Sequence, residues 1–290
     1  MEMAEKGVER KGRRKLGRLG VCTWSLQVRS VAELVEQVRQ TGLRAVQIAL
    51  DPVRRGEMPM LELSTRLHDA GIVIASGVVD MAGEDYSTLD SIRRTGGLVP
   101  DSTWPANLAA AAENAEIARS LGIGLVTFHA GFIPHEVADP QRSVLIDRLR
   151  QFAATFGECG LSLALETGQE SAQILLELLP RLEPESVGVN FDPANMILYG
   201  MGDPIDALRS LVPYVRQVHI KDALPAARPG EWGREVPVGD GDVDWAAFLD
   251  VLETNDLAVD MMIEREAGED RVADIRRARA LIERELGAAP

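Results

Sequence analysis

Residues 161–166 read LSLALE, leucines alternating with small or polar residues and a glutamate at the end. In a strand successive side chains point to opposite faces, so Leu161, Leu163 and Leu165 share one face and Ser162, Ala164 and Glu166 the other. Three later stretches follow the same plan. SVGVNFD (186–192) ends on Asp192, VRQVHIK (215–221) carries His219 and Lys221 on one parity, and LAVDMMIE (257–264) ends on Glu264. Behind each comes a segment of helical period: 171–179, 203–212, 244–255 and 271–286. Strands that return in the same direction through a helix make a parallel sheet.

Upstream the alternation continues. RLGVCTWSL (18–26), RAVQIAL (44–50), IVIASGVV (72–79) and LVTFHA (125–130) read as strands, and 30–42, 58–71, 105–122 and 139–157 as helices. The first helix opens on Ser30 and closes on Gly42, both suited to helix ends. Eight strand–helix pairs predict an α/β protein, a single (β/α)8 TIM barrel. An open doubly wound sheet normally has fewer units and often a glycine-rich loop after its first strand, whereas TWSLQVRS (23–30) contains no glycine. The segment 80–104, DMAGEDYSTLDSIRRTGGLVPDSTW, is long for a connection in a compact domain and is expected to be a lid or a binding element.

A length of 290 residues, 46% hydrophobic and 26% charged, suits one barrel with a large core. The formal charge of −14 disfavours nucleic acid and anionic membrane surfaces as partners. The basic cluster RKGRRKLGR (10–18) is the exception, and it is read as part of a disordered basic leader, residues 1–16, ahead of a barrel over 17–290. Two cysteines, Cys22 and Cys159, without CxxC spacing suggest neither a disulfide framework nor a thiolate zinc site. No secretory h-region and no membrane-length apolar run is visible, so a cytoplasmic setting is the expectation.

In a TIM barrel the C-terminal strand ends carry the chemistry. Here four successive strand ends deliver Glu166, Asp192, His219 and Glu264, all on inward parity. Three converging carboxylates repel one another unless a cation neutralises them. Three oxygen donors and one imidazole suit a single divalent cation, Mn²⁺ first, with Co²⁺, Mg²⁺ or Zn²⁺ as alternatives, rather than a structural zinc. Each residue alone has another reading: Glu264 could pair with Arg265, and Asp192 could cap the turn ahead of Pro193.

The motifs LALETGQE, NFDPANMILYG, VHIKDA, VPVGDGDVDW and MIEREAG resemble those of the sugar phosphate isomerase/epimerase family, the xylose isomerase-like TIM barrels. The resemblance runs from LGVCTWSLQ to the last helix. It implies that Glu166, Asp192, His219 and Glu264 bind one divalent cation and that Glu166 and Glu264 act as the acid/base pair on a sugar or keto-sugar. Proton abstraction beside a carbonyl, through an enediolate, would then give epimerisation or isomerisation. His129, Asn195, Lys221 and Trp24 are substrate-binding candidates. Asn195 stands where related epimerases often have His, and Glu235, not Arg234, stands where ketose epimerases carry a substrate-binding Arg; both residues are carried as candidates. Trp104 reads as packing, and His68 and His135 are given no role. Relatives imply a homodimer or homotetramer.

Rival readings are a metal-dependent lyase or deglycosidase acting on keto-sugars or C-glycosides, and a non-catalytic metal-bound barrel subunit. A related DNA-repair endonuclease branch uses many histidines, and this chain has four. A hydride-shift isomerase usually needs a second metal, for which no second cluster is visible.

Overall fold

A computed structural model describes residues 16–136, 138–182, 186–228 and 230–287. Eight parallel strands close into a barrel: β1 (Leu19–Cys22), β2 (Ala45–Ala49), β3 (Val73–Val78), β4 (Leu125–Phe128), β5 (Ser162–Glu166), β6 (Val187–Phe191), β7 (Val215–Ile220) and β10 (Asp260–Ile263). The ring runs β1-β10-β7-β6-β5-β4-β3-β2, so the expected architecture is present. Between β7 and β10 lies an antiparallel hairpin, β8 (Asp222–Leu224) and β9 (Arg234–Val236), where the sequence predicts only a loop.

The major helices are α1 (Val31–Thr41), α3 (Met60–Asp69), α5 (Trp104–Ser120), α6 (Pro140–Gly157), α7 (Ala172–Leu178), α9 (Pro204–Leu211), α10 (Trp245–Thr254) and α11 (Arg271–Glu285). Shorter helices α2 (Leu50–Arg54), α4 (Leu89–Thr95) and α8 (Pro193–Tyr199) sit in the loops at the strand C-termini. Helix ends follow local chemistry. Ser30 accepts the Glu33 N–H to start α1, and Gly42 at φ 75° ends it.

Outward side chains such as Val46, Leu163, Leu165, Val189 and Ile263 are buried in the layer between strands and helices. The inward face differs. Ser76 donates to Gln217 (2.5 Å), Gln217 to Asn190 (3.2 Å), Asn190 to Glu166 (3.1 Å) and Gln47 to Thr127 (2.8 Å), all buried. Amides and hydroxyls inside a barrel are tolerated because each meets a partner. Met262, in register with His219, lies over Gly20, where a Cβ would stand 2.7 Å from the sulfur.

Two sequence readings need correction. The first strand stops at Cys22, and Thr23–Leu26 forms a 3-10 turn. Likewise the fourth stops at Phe128, one residue before His129. The leader expectation falls almost wholly on residues 1–15, outside the described residues. Within reach, Arg18 holds Asp260 through its main-chain N–H (2.8 Å) and its guanidinium (2.6 Å), which ties the chain to β10. No described helix is long and apolar enough to cross a membrane.

Candidate metal centre and cavity

Strand parity brings the four predicted side chains together. Ligand atoms of Glu166, Asp192, His219 and Glu264 all lie within 4.8 Å of one another, and all four residues are buried. His219 Nδ1 is at the centre, 3.5 Å from Glu166, 3.6 Å from Asp192 and 3.3 Å from Glu264. Neither Nδ1 nor Asp192 Oδ2 has a hydrogen-bond partner, although both are buried. Two converging buried atoms without partners, among two further carboxylates, are the donor set a cation requires.

The tautomer of His219 follows from what lies below it. Gln47 turns its nitrogen to Thr127 Oγ1 (2.8 Å) and to the carbonyl of Gly77 (3.4 Å), a pure acceptor. Its oxygen therefore faces His219 Nε2 at 2.9 Å. Nε2 thus lies between that oxygen and the Asn190 amide nitrogen at 3.0 Å; donation to Gln47 is the arrangement that leaves the neutral ring's lone pair at Nδ1 for a cation.

Electrostatics follow the same crowding. Burial alone would lower the His219 pKa, but the charge of Glu166, with that of Glu264 beyond it, raises it well above the ordinary value. Burial pushes Asp192 up. Against burial, Lys221 and then His219 hold Glu264 well below the usual carboxylate range. A divalent ion among these groups would replace the proton that His219 otherwise retains.

Above the centre opens a cavity of about 550 Å³. Of the four clustered residues only Glu166 and Glu264 line it; Asp192 and His219 lie beneath. Asp192 also caps α8, accepting the Asn195 N–H at 2.9 Å, so the turn reading and the cluster reading hold together. Asn195 donates its amide to Glu166 (3.0 Å). Trp24 donates its indole N–H to Glu264 (2.6 Å), which the 3-10 turn after β1 makes geometrically accessible. Lys221 holds Glu264 at 2.9 Å and also bonds Glu266. His129 Nε2 is 3.7 Å from Glu166, with its side chain 30% exposed.

Arg234 and Glu235 are not brought there. Arg234 is exposed and pairs with Leu224 across the hairpin. Glu235 accepts from Arg265 (2.6 Å) and from the main-chain N–H groups of Glu266 (3.0 Å) and Ala267 (3.1 Å), fastening the hairpin to the strand that carries Glu264. Their candidacy came from the resemblance to ketose epimerases, and neither lines the cavity.

Other wall residues were not singled out in the sequence: Asp80, Glu84, Tyr86, Tyr199, Trp232 and Glu266. The first three come from the 80–104 segment, which does serve as a wall of this cavity. Glu84 fixes it by accepting from Gly97 N–H (2.9 Å) and Tyr86 O–H (3.1 Å). Gly97 sits at φ 64° with its Cα against the Ala130–Gly131 peptide, where a Cβ has no room. At the root of the hairpin Asp222 gathers the N–H groups of Ala223 (2.9 Å), Gly239 (2.9 Å) and Val243 (3.2 Å) and the Trp245 indole N–H (3.0 Å).

A profile described as Xylose isomerase-like TIM barrel matches residues 35–285. A xylose isomerase domain protein from Planctomyces limnophilus is 33% identical, with 94% of this chain and 100% of that one covered and a TM-score of 0.83. An L-ribulose 3-epimerase is 18% identical over 93% of this chain and 95% of its own, with a TM-score of 0.71, a likeness of fold. The uncharacterized protein YihM of Escherichia coli (strain K12) is 35% identical over 109 residues, which is 37% of this chain and 33% of that protein's length.

Proposed function

The chain belongs to the xylose isomerase-like TIM barrel family, and on that premise we propose that it is a sugar isomerase or epimerase that uses one divalent cation, Mn²⁺ first, held by Glu166, Asp192, His219 and Glu264. One observation carries the reading: the unpartnered His219 Nδ1 and Asp192 Oδ2 converge with two glutamates that also face the cavity. When bound, the ion would polarise the substrate carbonyl and offset charge building on the neighbouring oxygens.

The chain's own residues do the rest. Glu264, kept ionised by Lys221 at 2.9 Å, takes the proton from the carbon beside the carbonyl. Glu166 is ionised in the free site, where His219 and His129 hold its pKa down against burial; it takes up a proton as the sugar binds and returns it to the opposite face of that carbon, and the two exchange roles in the reverse direction. Asn195 and Trp24 fix the two carboxylates through their N–H groups. Return to the adjacent carbon would give aldose–ketose isomerisation instead. If the intermediate expels a β-substituent before reprotonation, the same residues make a lyase.

The test is solvent-deuterium incorporation at C–H into a panel of ketoses and keto-sugars with Mn²⁺ present. Exchange into recovered sugar is expected. Deuterium found only with loss of a substituent selects the lyase, and no exchange anywhere in the panel leaves the metal-bound, non-catalytic barrel.

A further inference from the structure

We propose that the cavity takes uncharged sugars and rejects phosphate esters and sugar acids, with Asp80 and Glu84 as the residues that set this selectivity. The proposal rests on the sugar reading above and adds the charge class of the substrate.

The cavity wall carries the carboxylates of Asp80, Glu84, Glu166, Glu264 and Glu266. Against them stand Lys221 and the imidazole of His129. Lys221 is already held between Glu264 and Glu266, so its charge is matched before any ligand arrives. Glu166, Asp192 and Glu264 together outweigh one divalent ion. Even with the His129 imidazole counted as a cation, Asp80 and Glu84 leave net negative charge facing the ligand. Glu84 cannot swing away easily, because the Gly97 N–H and Tyr86 O–H hold its two oxygens.

An anionic ligand needs donors that this wall lacks. Phosphates are ordinarily held by arginine forks, free lysines or the open N–H groups of a helix start. No arginine lines this cavity among the described residues. Arg265, on the nearby strand end, is spent on Glu235 (2.6 Å) and Asp274 (2.8 Å). The helix that starts beside the cluster, α8, has its first turn capped by Asp192 itself. Much of the remaining wall is apolar, with Trp24, Tyr86, Tyr199 and Trp232 beside Val79, Met81 and Leu198, which suits the C–H faces of a neutral ring. A unit negative charge roughly 12 Å from each of the two carboxylates, at an effective dielectric of about 20, is disfavoured by about tenfold per carboxylate and roughly 100-fold by the pair.

The experiment measures equilibrium binding, by calorimetry, of a panel of free ketohexoses and their 6-phosphates to the full chain, metal-free and Mn²⁺-loaded. Asp80→Asn and the double variant Asp80→Asn/Glu84→Gln are measured beside it. Free sugars are expected to bind roughly 100-fold tighter than the esters, with that ratio falling about tenfold in Asp80→Asn and further in the double variant. Asp80 is exposed, so its substitution tests charge without removing packing. Esters that bind as tightly as free sugars, a ratio unmoved in both variants, or no binding of any free ketose would each overturn the proposal. Retained selectivity without C–H exchange would instead sink the proton-transfer reading and leave this one standing.

Discussion

Two buried polar assemblies lie on the same strands, one inside the barrel and one at its mouth, and only one of them is self-sufficient. Inside, Ser76, Gln217, Asn190, Gln47 and Thr127 are uncharged; Ser76 donates to Gln217, Gln217 to Asn190, Gln47 to Thr127, and Asn190 passes its donor up to Glu166 at the mouth. At the mouth, Glu166, Asp192 and Glu264 can only accept when ionised, and the imidazole they surround offsets them only while it keeps the proton that their charge holds on it. Equal burial thus has opposite meanings: amides and hydroxyls can close a network, whereas converging acceptors require something positive from outside.

The largest expected effect lies at the mouth. Glu264→Gln should lower C–H exchange by about 10⁴-fold and reduce bound metal by elemental analysis, with the circular dichroism spectrum intact. Near-normal exchange in that variant would remove Glu264 from the role proposed for it.

Next comes a carboxyl that belongs to neither assembly. Glu170 is buried, one of its oxygens has no partner, and burial pushes its pKa up to about 8. With the folded value above the unfolded one, the folded state holds this proton more tightly. Its stabilising contribution is present below about pH 4.5 and is lost as pH rises toward 8. Glu170→Gln should therefore unfold like the parent near pH 4 and be about 3–5 kcal/mol more stable at pH 9. Parallel stability–pH curves for the two proteins would show that Glu170 does not titrate with folding.

Gln47→Leu probes the joint between the two assemblies. It strips Thr127 and His219 Nε2 of their partner, so denaturant melts should lose about 2–3 kcal/mol and Mn²⁺ affinity should fall by about 10- to 100-fold. A loss of stability with unchanged metal affinity would separate the assemblies. The smallest effect is expected for Arg18→Ala. Its partner is Asp260 but Arg18 is 52% exposed, so the cost should stay near or below about 1 kcal/mol in the same melts.

Much of this was legible in the sequence because period-2 parity is a local property. LSLALE and MMIE fix which face Glu166 and Glu264 take, whatever the rest of the chain does. What parity could not supply is the fate of polar residues within strands. Gln47 in RAVQIAL and Gln217 in VRQVHIK look like ordinary alternation, and their partners come from strands far away in the chain. Loops carry no period at all. Glu84, Tyr86 and Trp232 reach the cavity only because Gly97, Glu235 and Asp222 pin their segments, contacts that no spacing announces. Arg234 and Glu235 lie outside the cavity lining for the same reason: a likeness of motif cannot foresee a hairpin.

Asp222 has a consequence for how such a protein can vary. One carboxylate clasps both ends of the excursion that begins right after Lys221, so length and composition can change at the hairpin tip without tugging on the strand that bears the imidazole. The barrel thereby owns a replaceable flap hinged on a fixed clasp, and new ligand contacts could be grafted there while the ion-binding floor stays as it is.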